Sequence, residues 1–210
     1  SYHGAPSLTV SVVEMSPNSF SQNGEIVGID VETATAAMDK VGVDYVVEMK
    51  QDWAEAYDKT LNSSNRALLG IGYSAERRDL FKWAGPTSSS GFYVFAKKSS
   101  GPGSTLGLDG TKALDSIAVV SGWLETTSLE ELGFDNLVYY ATYDQAVSAL
   151  LHDEVVALAS DGKQFAYKVQ GQFSFNDDFD VCFGYKSAFY YIAFSKDVDD
   201  EVVAAVQASL

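Results

Sequence analysis

Short apolar runs alternate with stretches of helical period from one end of the chain to the other, and that alternation restricts the fold more than any single residue does. Leu8 to Val13 reads as a buried strand, closed by the loop Glu14 to Ser19. Gln22-Asn23-Gly24 reads as a hairpin-like turn, because Asn-Gly supplies the positive φ angles that a tight reversal needs. Asp30 to Val41 then places Val31, Ala34, Met38 and Val41 on one helical face and stops at Gly42, a residue type suited to the left-handed position just past a helix. Val43 to Met49 returns as strand, Gln51 to Leu61 as a helix opened by Trp53, and Ala67 to Leu69 as strand again. Strand and helix alternating at this spacing predict a parallel sheet with helices on both faces.

The second half repeats the pattern after a Ser-rich connector at 87–90, a strand at Phe92 to Ala96 and a loose segment through Gly101-Pro102-Gly103. Strands are expected at Ile117 to Val120, Leu137 to Tyr139 and Val155 to Ala159. Helices are expected near Thr127 to Leu132, ended by Gly133, at Tyr143 to His152, and after Ser160-Asp161-Gly162 as far as Val169. Thr142 and Gln145 have the spacing of a capping box. Ala188 to Phe194 is a further strand and Asp199 to Leu210 an amphipathic helix with Val202, Val203 and Val206 inward. This last piece is too short for a domain and is expected to pack back on the first lobe. The organisation is therefore two α/β lobes: residues 1–90 with 186–210, and residues 91–185, joined by two crossings that make a hinge.

Composition narrows the partners. A formal charge of −15 on 210 residues would repel nucleic acid and anionic membrane alike. The one cysteine, Cys182, allows neither an intrachain disulfide nor a thiolate metal site. No apolar run is long enough to span a membrane and no signal segment is present, so any signal or anchor is expected to be absent from this chain. The two histidines, His3 and His152, have no metal-ligand spacing and no partner nucleophile, and the Asn176 to Asp180 cluster lacks the glycine and spacing of a calcium loop. No cofactor and no enzymatic constellation is expected; Glu14 is the sole acid/base candidate.

In an open parallel sheet, ligands sit beyond the carboxyl ends of the strands, so the residues that follow each strand are the candidates. They are Glu14 and Met15, Trp53, Gly70 and Gly72, Ser121 and Trp123, and Ser160 and Asp161. At 67–86 the strand is expected to stop at Gly70-Ile71-Gly72, leaving bare backbone, and a helix to start behind Ser74, with Arg77 one turn in. A guanidinium and a carboxylate, Arg77 and Asp161, suit the two ends of a small zwitterion. The plainer alternatives are a solvated helix face for Glu76 to Asp79 and a helix N-cap for Asp161. Trp53 and Trp123 are equally consistent with ligand contact or packing, whereas Trp83, Tyr190 and Tyr191 read as packing.

Asn23-Gly24-Glu25-Ile26-Val27-Gly28-Ile29-Asp30-Val31, the Trp53 helix, Ser74-Ala75-Glu76-Arg77 with Phe81, and Tyr191-Ile192-Ala193-Phe194-Ser195-Lys196 occur in an order that resembles the family 3 extracellular solute-binding proteins, the amino-acid receptors of ABC importers. The resemblance spans nearly the whole chain. It implies the type II periplasmic-binding fold, a small amino acid or related carboxylate captured between two lobes, an extracytoplasmic location, ABC transporter membrane subunits as partners, and a monomer. It places Arg77 at the ligand carboxylate, Gly70 and Gly72 at backbone contacts, Asp161 at the ammonium, and Trp53 and Glu14 near the side-chain pocket. Gly72 replaces a hydroxyl residue of the family turn, Tyr73 stands where an arginine is often found, and Val120 and Leu124 replace polar or glycine contacts. Those departures point to a ligand of modest polarity. The same fold also serves as the extracellular sensor of kinases, cyclases and chemoreceptors, and occasionally as a dehydratase-type enzyme.

Overall fold

The computed structural model describes residues 6–210, and the chain falls into two compact units. The first holds the described residues up to Ser89 together with Ala188–Leu210, and the second holds Ser90–Ser187.

In the first unit, β1 (Leu8–Val13) is the central strand, parallel to both β4 (Tyr45–Lys50) and β5 (Arg66–Gly72). Leu8, Val10 and Val12 point into one core, as the period of two requires. Between β1 and β4 lie the hairpin β2 (Phe20–Gln22) and β3 (Glu25–Val27), turned by Asn23 at φ 52° and Gly24 at φ 80°, and helix α1 (Ile29–Val41). Helix α1 buries Val31, Ala34, Met38 and Val41 and ends at Gly42 with φ 85°, whose N–H donates to the Met38 carbonyl. Helix α2 (Trp53–Asn62) starts where Asp52 accepts the Glu55 N–H at 2.8 Å. It covers the opposite face through Ala56, against Leu68, Ile71 and Phe81.

The second unit repeats the plan. Strand β7 (Ile117–Val120) is parallel to β8 (Leu137–Tyr140) and β9 (Ala157–Asp161). Its four residues are all buried, with Ile117 and Val119 in one core and Ala118 and Val120 in another, as a strand covered on both sides demands. Helices α3 (Gly107–Lys112), α4 (Leu124–Glu131), α5 (Tyr143–Leu151), α6 (Gly162–Val169) and the short α7 (Phe175–Asp178) connect and flank these strands. The Thr142–Gln145 capping box opens α5 as expected. Phe165 of α6 is fully buried, its ring 4.9 Å from Phe95 and 4.7 Å from Phe179, and each such ring contributes about 2 to 3 kcal/mol through burial.

Two strands differ most from the sequence reading. Strand β6 (Lys82–Lys97) and β10 (Phe179–Phe194) each run for 16 residues and each passes from one unit to the other. The Ser-rich stretch 87–90 is thus strand and not connector, because paired backbone satisfies its polar groups whatever the side chains. Helix α8 (Asp200–Ser209) closes the chain, with Val202, Val203 and Val206 in the same core as α1.

Candidate functional site

The parallel register of the first unit sets Val13 beside Lys50, so the residues that follow β1, β4 and β5 share one edge. Glu14 is exposed there and its carboxylate accepts the Ser21 N–H at 3.2 Å. Trp53 opens α2 at the same edge. Strand β5 does not stop at Gly70. It continues through Gly72, where it pairs antiparallel with Tyr190 of β10, so the expected bare turn is a paired strand. Gly70 itself has φ 71°, a conformation that strains any L side chain, while a Cβ there would meet only the flexible Met15 methyl at 3.3 Å, so it is the backbone that favours glycine.

No helix follows Ser74. Residues 75–80 form successive turns, in which the Arg77 and Arg78 N–H groups bond to the Ser74 carbonyl at 3.2 and 2.9 Å and Arg77 also reaches the Ser74 hydroxyl at 3.3 Å. The polar run Glu76 to Asp79 has no apolar stripe to bury, and Leu80 is exposed, so nothing stabilises a helix before β6 begins. The turns nevertheless aim Arg77 back at the strand end. Its Nη1 donates to the Gly72 carbonyl at 3.1 Å, and its guanidinium carbon lies 5.5 Å from the Tyr57 ring centre. Among the described residues no carboxylate comes within ion-pair distance of Arg77. Around it runs an aromatic wall: Trp53 to Tyr57 at 6.4 Å, Tyr57 to Phe81 at 5.4 Å, Phe81 to Trp83 at 5.8 Å, and Trp83 to the half-exposed Tyr73 at 5.1 Å.

In the second unit, β7 ends level with β8, and the Ser121 N–H donates to the Tyr140 carbonyl at 3.0 Å. Ser121 is exposed, and Trp123 stacks on Tyr143 at 5.5 Å with 14° between planes. The Tyr143 hydroxyl lies 2.7 Å from the Ser160 hydroxyl, which itself donates to the Asp161 carbonyl. Asp161 is the last residue of β9 and caps α6, its Oδ1 accepting the Gln164 N–H at 2.9 Å. Its other oxygen, Oδ2, is buried with no hydrogen-bond partner. The capping role is therefore real and uses half of the carboxylate. Val120 belongs to the core and Leu124 is exposed, so Val120 cannot form the apolar ligand wall expected from the sequence.

Sequence reasoning missed three residues at this edge. Tyr93 lies across Gly162 and Gly184, where an added Cβ would come within 3.1 Å of its ring in each case. Tyr143 carries no signal in the sequence beyond its place at the start of a helix. Glu125, in the first turn of α4, accepts the Tyr185 hydroxyl with its backbone carbonyl at 2.9 Å. Burial pushes its carboxyl from the ordinary 4.5 up to about 7, the nearby Asp161 adds to the rise, and a backbone hydrogen bond only partly offsets it. Burial likewise raises the hydroxyls of Tyr143 and Tyr185, and the Glu125 charge raises both further. An acidic residue in a first helical turn ordinarily signals only the helix dipole, which is why its spacing carried no message.

The Glu125 shift has a stability consequence of definite sign. Below pH 4.5 both folded and unfolded chains hold the proton; between 4.5 and about 7 only the folded chain does, so stability falls as pH rises across that window and levels off above it. The full loss is about 3 kcal/mol. Glu125→Gln is expected to abolish this component, so denaturation midpoints of variant and wild type should diverge from pH 5 to pH 8 in favour of the variant; parallel curves would contradict the burial of Glu125.

His3 lies outside the described residues. His152 is exposed at the end of α5, with Nδ1 2.9 Å from the Ser148 carbonyl. Asp177 and Asp178 bond back to Ser174 at the start of α7, and among the described residues no group of three or more His, Cys, Asp or Glu side chains could hold a metal ion. Cys182 is buried, and its thiol is pushed up to about 11 by that burial and by Asp180.

Residues 8–210 match the bacterial extracellular solute-binding proteins, family 3. No curated protein sequence matches the chain. Among solved structures, substrate-binding domain 2 of GlnP from Lactococcus lactis, in an open conformation, superposes with a TM-score of 0.74 at 18% identity, covering 96% of this chain and 87% of that one. A histidine kinase sensor domain with similarity to periplasmic binding proteins gives 0.72 at 19% identity, covering 97% and 88%. A truncated, arginine-bound ArgBP from T. maritima gives 0.68 at 19%, covering 96% and 93%. At these identities the structural likeness establishes the fold: both units are built on the type II periplasmic-binding plan.

Proposed function

We infer the function of this chain from the family to which it belongs, family 3 of the bacterial extracellular solute-binding proteins. The chain is a solute-binding protein, and the solute we propose is a small amino acid or a related carboxylate. One observation carries this reading: each unit offers a charge that its own unit leaves uncompensated, and the two have opposite signs. Arg77 meets no carboxylate among the described residues, and Asp161 keeps a buried oxygen without a partner. An amino acid supplies both missing partners, its carboxylate to Arg77 and its ammonium to Asp161. Trp53 and Tyr73 offer aromatic surface, and Glu14, Ser121 and Trp123 stand at the strand edges.

The neighbours named above include an arginine-bound protein and a substrate-binding domain, which supports the class without naming the ligand. The protein makes and breaks no bond; binding stabilises one conformation over another. The chain passes between its units twice, within β6 and β10, and such a double connection serves as a hinge. We propose that the protein works as a monomer outside the cytoplasm and delivers its ligand to the membrane subunits of an ABC importer. The likeness to a histidine kinase sensor domain supports a second reading, in which the same binding event is signalled across a membrane. The full-length gene separates the two: transmembrane helices with a signalling domain specify a sensor, and a signal peptide or lipid anchor alone specifies transport.

A thermal-shift screen against the proteinogenic amino acids, small carboxylates and simple amines tests the reading. A ligand at a hundred times its dissociation constant adds about 2.7 kcal/mol, or roughly 5 to 10 °C for a chain of this size. Stabilisation by one amino-acid class is expected. Stabilisation by carboxylates lacking an amine would keep the role of Arg77 and remove that of Asp161; stabilisation by simple amines alone, or by nothing after unfolding and refolding to remove carried-over ligand, would contradict the reading.

A further inference from the structure

Arg77 is held at three points by its own unit, and none of the three is an anion. The Ser74 carbonyl and hydroxyl accept its backbone N–H at 3.2 and 3.3 Å, the Gly72 carbonyl accepts Nη1 at 3.1 Å, and the guanidinium carbon lies over the Tyr57 ring, 5.5 Å from its centre. These groups come from three stretches of chain: the 75–80 turns with Ser74, the end of β5, and α2. Tyr57 is itself fixed in place. It stands one turn after Trp53 on α2, with ring centres 6.4 Å apart, and the buried Phe81 ring meets it at 5.4 Å and nearly perpendicular. Among the described residues the Gly72 carbonyl is the sole hydrogen-bond acceptor for a guanidinium, a group with five N–H donors. A Cβ at Gly72 would lie 4.0 Å from Nη1, so glycine there sets no side chain beside those donors.

We propose that Tyr57 is a positioning residue: its ring face holds the Arg77 guanidinium in the orientation in which the unused N–H groups receive the ligand carboxylate. This rests on the role given to Arg77 above. An arginine side chain on a turn, with no ion pair to fix it, samples many rotamers, and ordering it at the moment of binding costs affinity. The face of an aromatic ring is negative and attracts a cation without accepting a hydrogen bond from each of its N–H groups. An aromatic partner therefore orients the guanidinium and leaves its charge and its donors to the ligand, whereas a carboxylate partner would spend both. The attraction belongs to the ring and not to the hydroxyl, so phenylalanine would serve as well at this position, and an aliphatic residue of similar bulk would not.

The test is calorimetric titration of refolded, ligand-free protein with the proteinogenic L-amino acid that gives the wild type its largest thermal shift, and with the carboxamide of that amino acid, which has no charge to offer Arg77. Tyr57→Phe is expected to bind the amino acid within about twofold of wild type, and Tyr57→Leu roughly three- to thirtyfold more weakly. In Tyr57→Leu the preference for the amino acid over its carboxamide is expected to shrink by the same factor. A series with mono-, tri- and pentafluorophenylalanine at position 57 keeps the shape of the ring while its face loses negative charge, and affinity is expected to fall stepwise along it. Equal affinity across the fluorinated series, or a wild-type preference in Tyr57→Leu, would reduce Tyr57 to packing and overturn its proposed role while leaving the amino-acid reading intact. No binding by any proteinogenic amino acid, or binding as tight in Arg77→Ala as in wild type, would overturn both. The fluorinated series decides the matter even if Tyr57→Leu does not fold.

Discussion

Arg77→Ala is expected to remove nearly all amino-acid affinity, about 2 to 5 kcal/mol or roughly thirty- to several-thousandfold, while leaving the protein folded. The size of the effect comes from what remains after truncation: a ligand carboxylate taken out of water with no cation opposite it. Structural losses are smaller. The guanidinium gives up one hydrogen bond to the Gly72 carbonyl and its contact with the Tyr57 ring, about 1 kcal/mol for a half-buried group. Arg77→Lys should fall between, since an ammonium keeps the charge but loses the two-pronged geometry. Calorimetry of ligand binding beside thermal denaturation separates these effects. Affinity that survives Arg77→Ala would mean that the guanidinium only fastens the 75–80 turns to β5.

Asp161 calls for a different substitution, because the residue has two tasks. Its Oδ1 caps α6 and its Oδ2 has no partner. Asparagine is as good an N-cap as aspartate, so Asp161→Asn keeps the cap and the volume and removes only the charge. Affinity is expected to fall by about 2 to 5 kcal/mol, with the midpoint of unfolding nearly unchanged. Asp161→Ala should lose as much affinity and in addition about 0.5 to 2 kcal/mol of stability through the cap. If Asp161→Asn binds as well as wild type and only Asp161→Ala is impaired, the carboxylate is a helix cap and nothing more.

The α/β plan was legible because its signals are local. Val31, Ala34, Met38 and Val41 repeat at helical spacing, Gly42 stops the helix, and Thr142 with Gln145 starts another, so elements and order can be read without tertiary knowledge. The long strands β6 and β10 were not legible as such. Their middles are rich in Ser, Gly and Tyr, and what makes them strands is pairing with partners distant in the chain, a non-local cause that composition does not carry. The 75–80 segment failed in the opposite direction. Its residues favour helix, but no apolar face exists to hold one, and tertiary context prevailed over propensity.

The site was legible to the extent that it follows strand ends. Arg77 and Asp161 were found because strand-end position and charge type agree. Glu125 was missed because a first-turn glutamate is ordinary until the parallel pairing of β7 with β9 sets the α4 start beside the end of β9. Tyr93 was hidden for a similar reason: the three glycines that make room around its ring, Gly91, Gly162 and Gly184, come from three separate stretches of chain.

The protein is expected to recognise an amino acid by its two charged ends. The most direct measurement is calorimetric titration with whichever amino acid stabilises it best, then with the methyl ester and the N-acetyl derivative of that compound. The ester removes the charge meant for Arg77, and the acetyl group removes the charge meant for Asp161. Each derivative is expected to bind at least a hundredfold more weakly than the parent, with the ester insensitive to Arg77→Ala and the acetylated compound insensitive to Asp161→Asn. Derivatives that bind as tightly as the parent would contradict the claim, because the ligand would then be held by its side chain and not by its two ends.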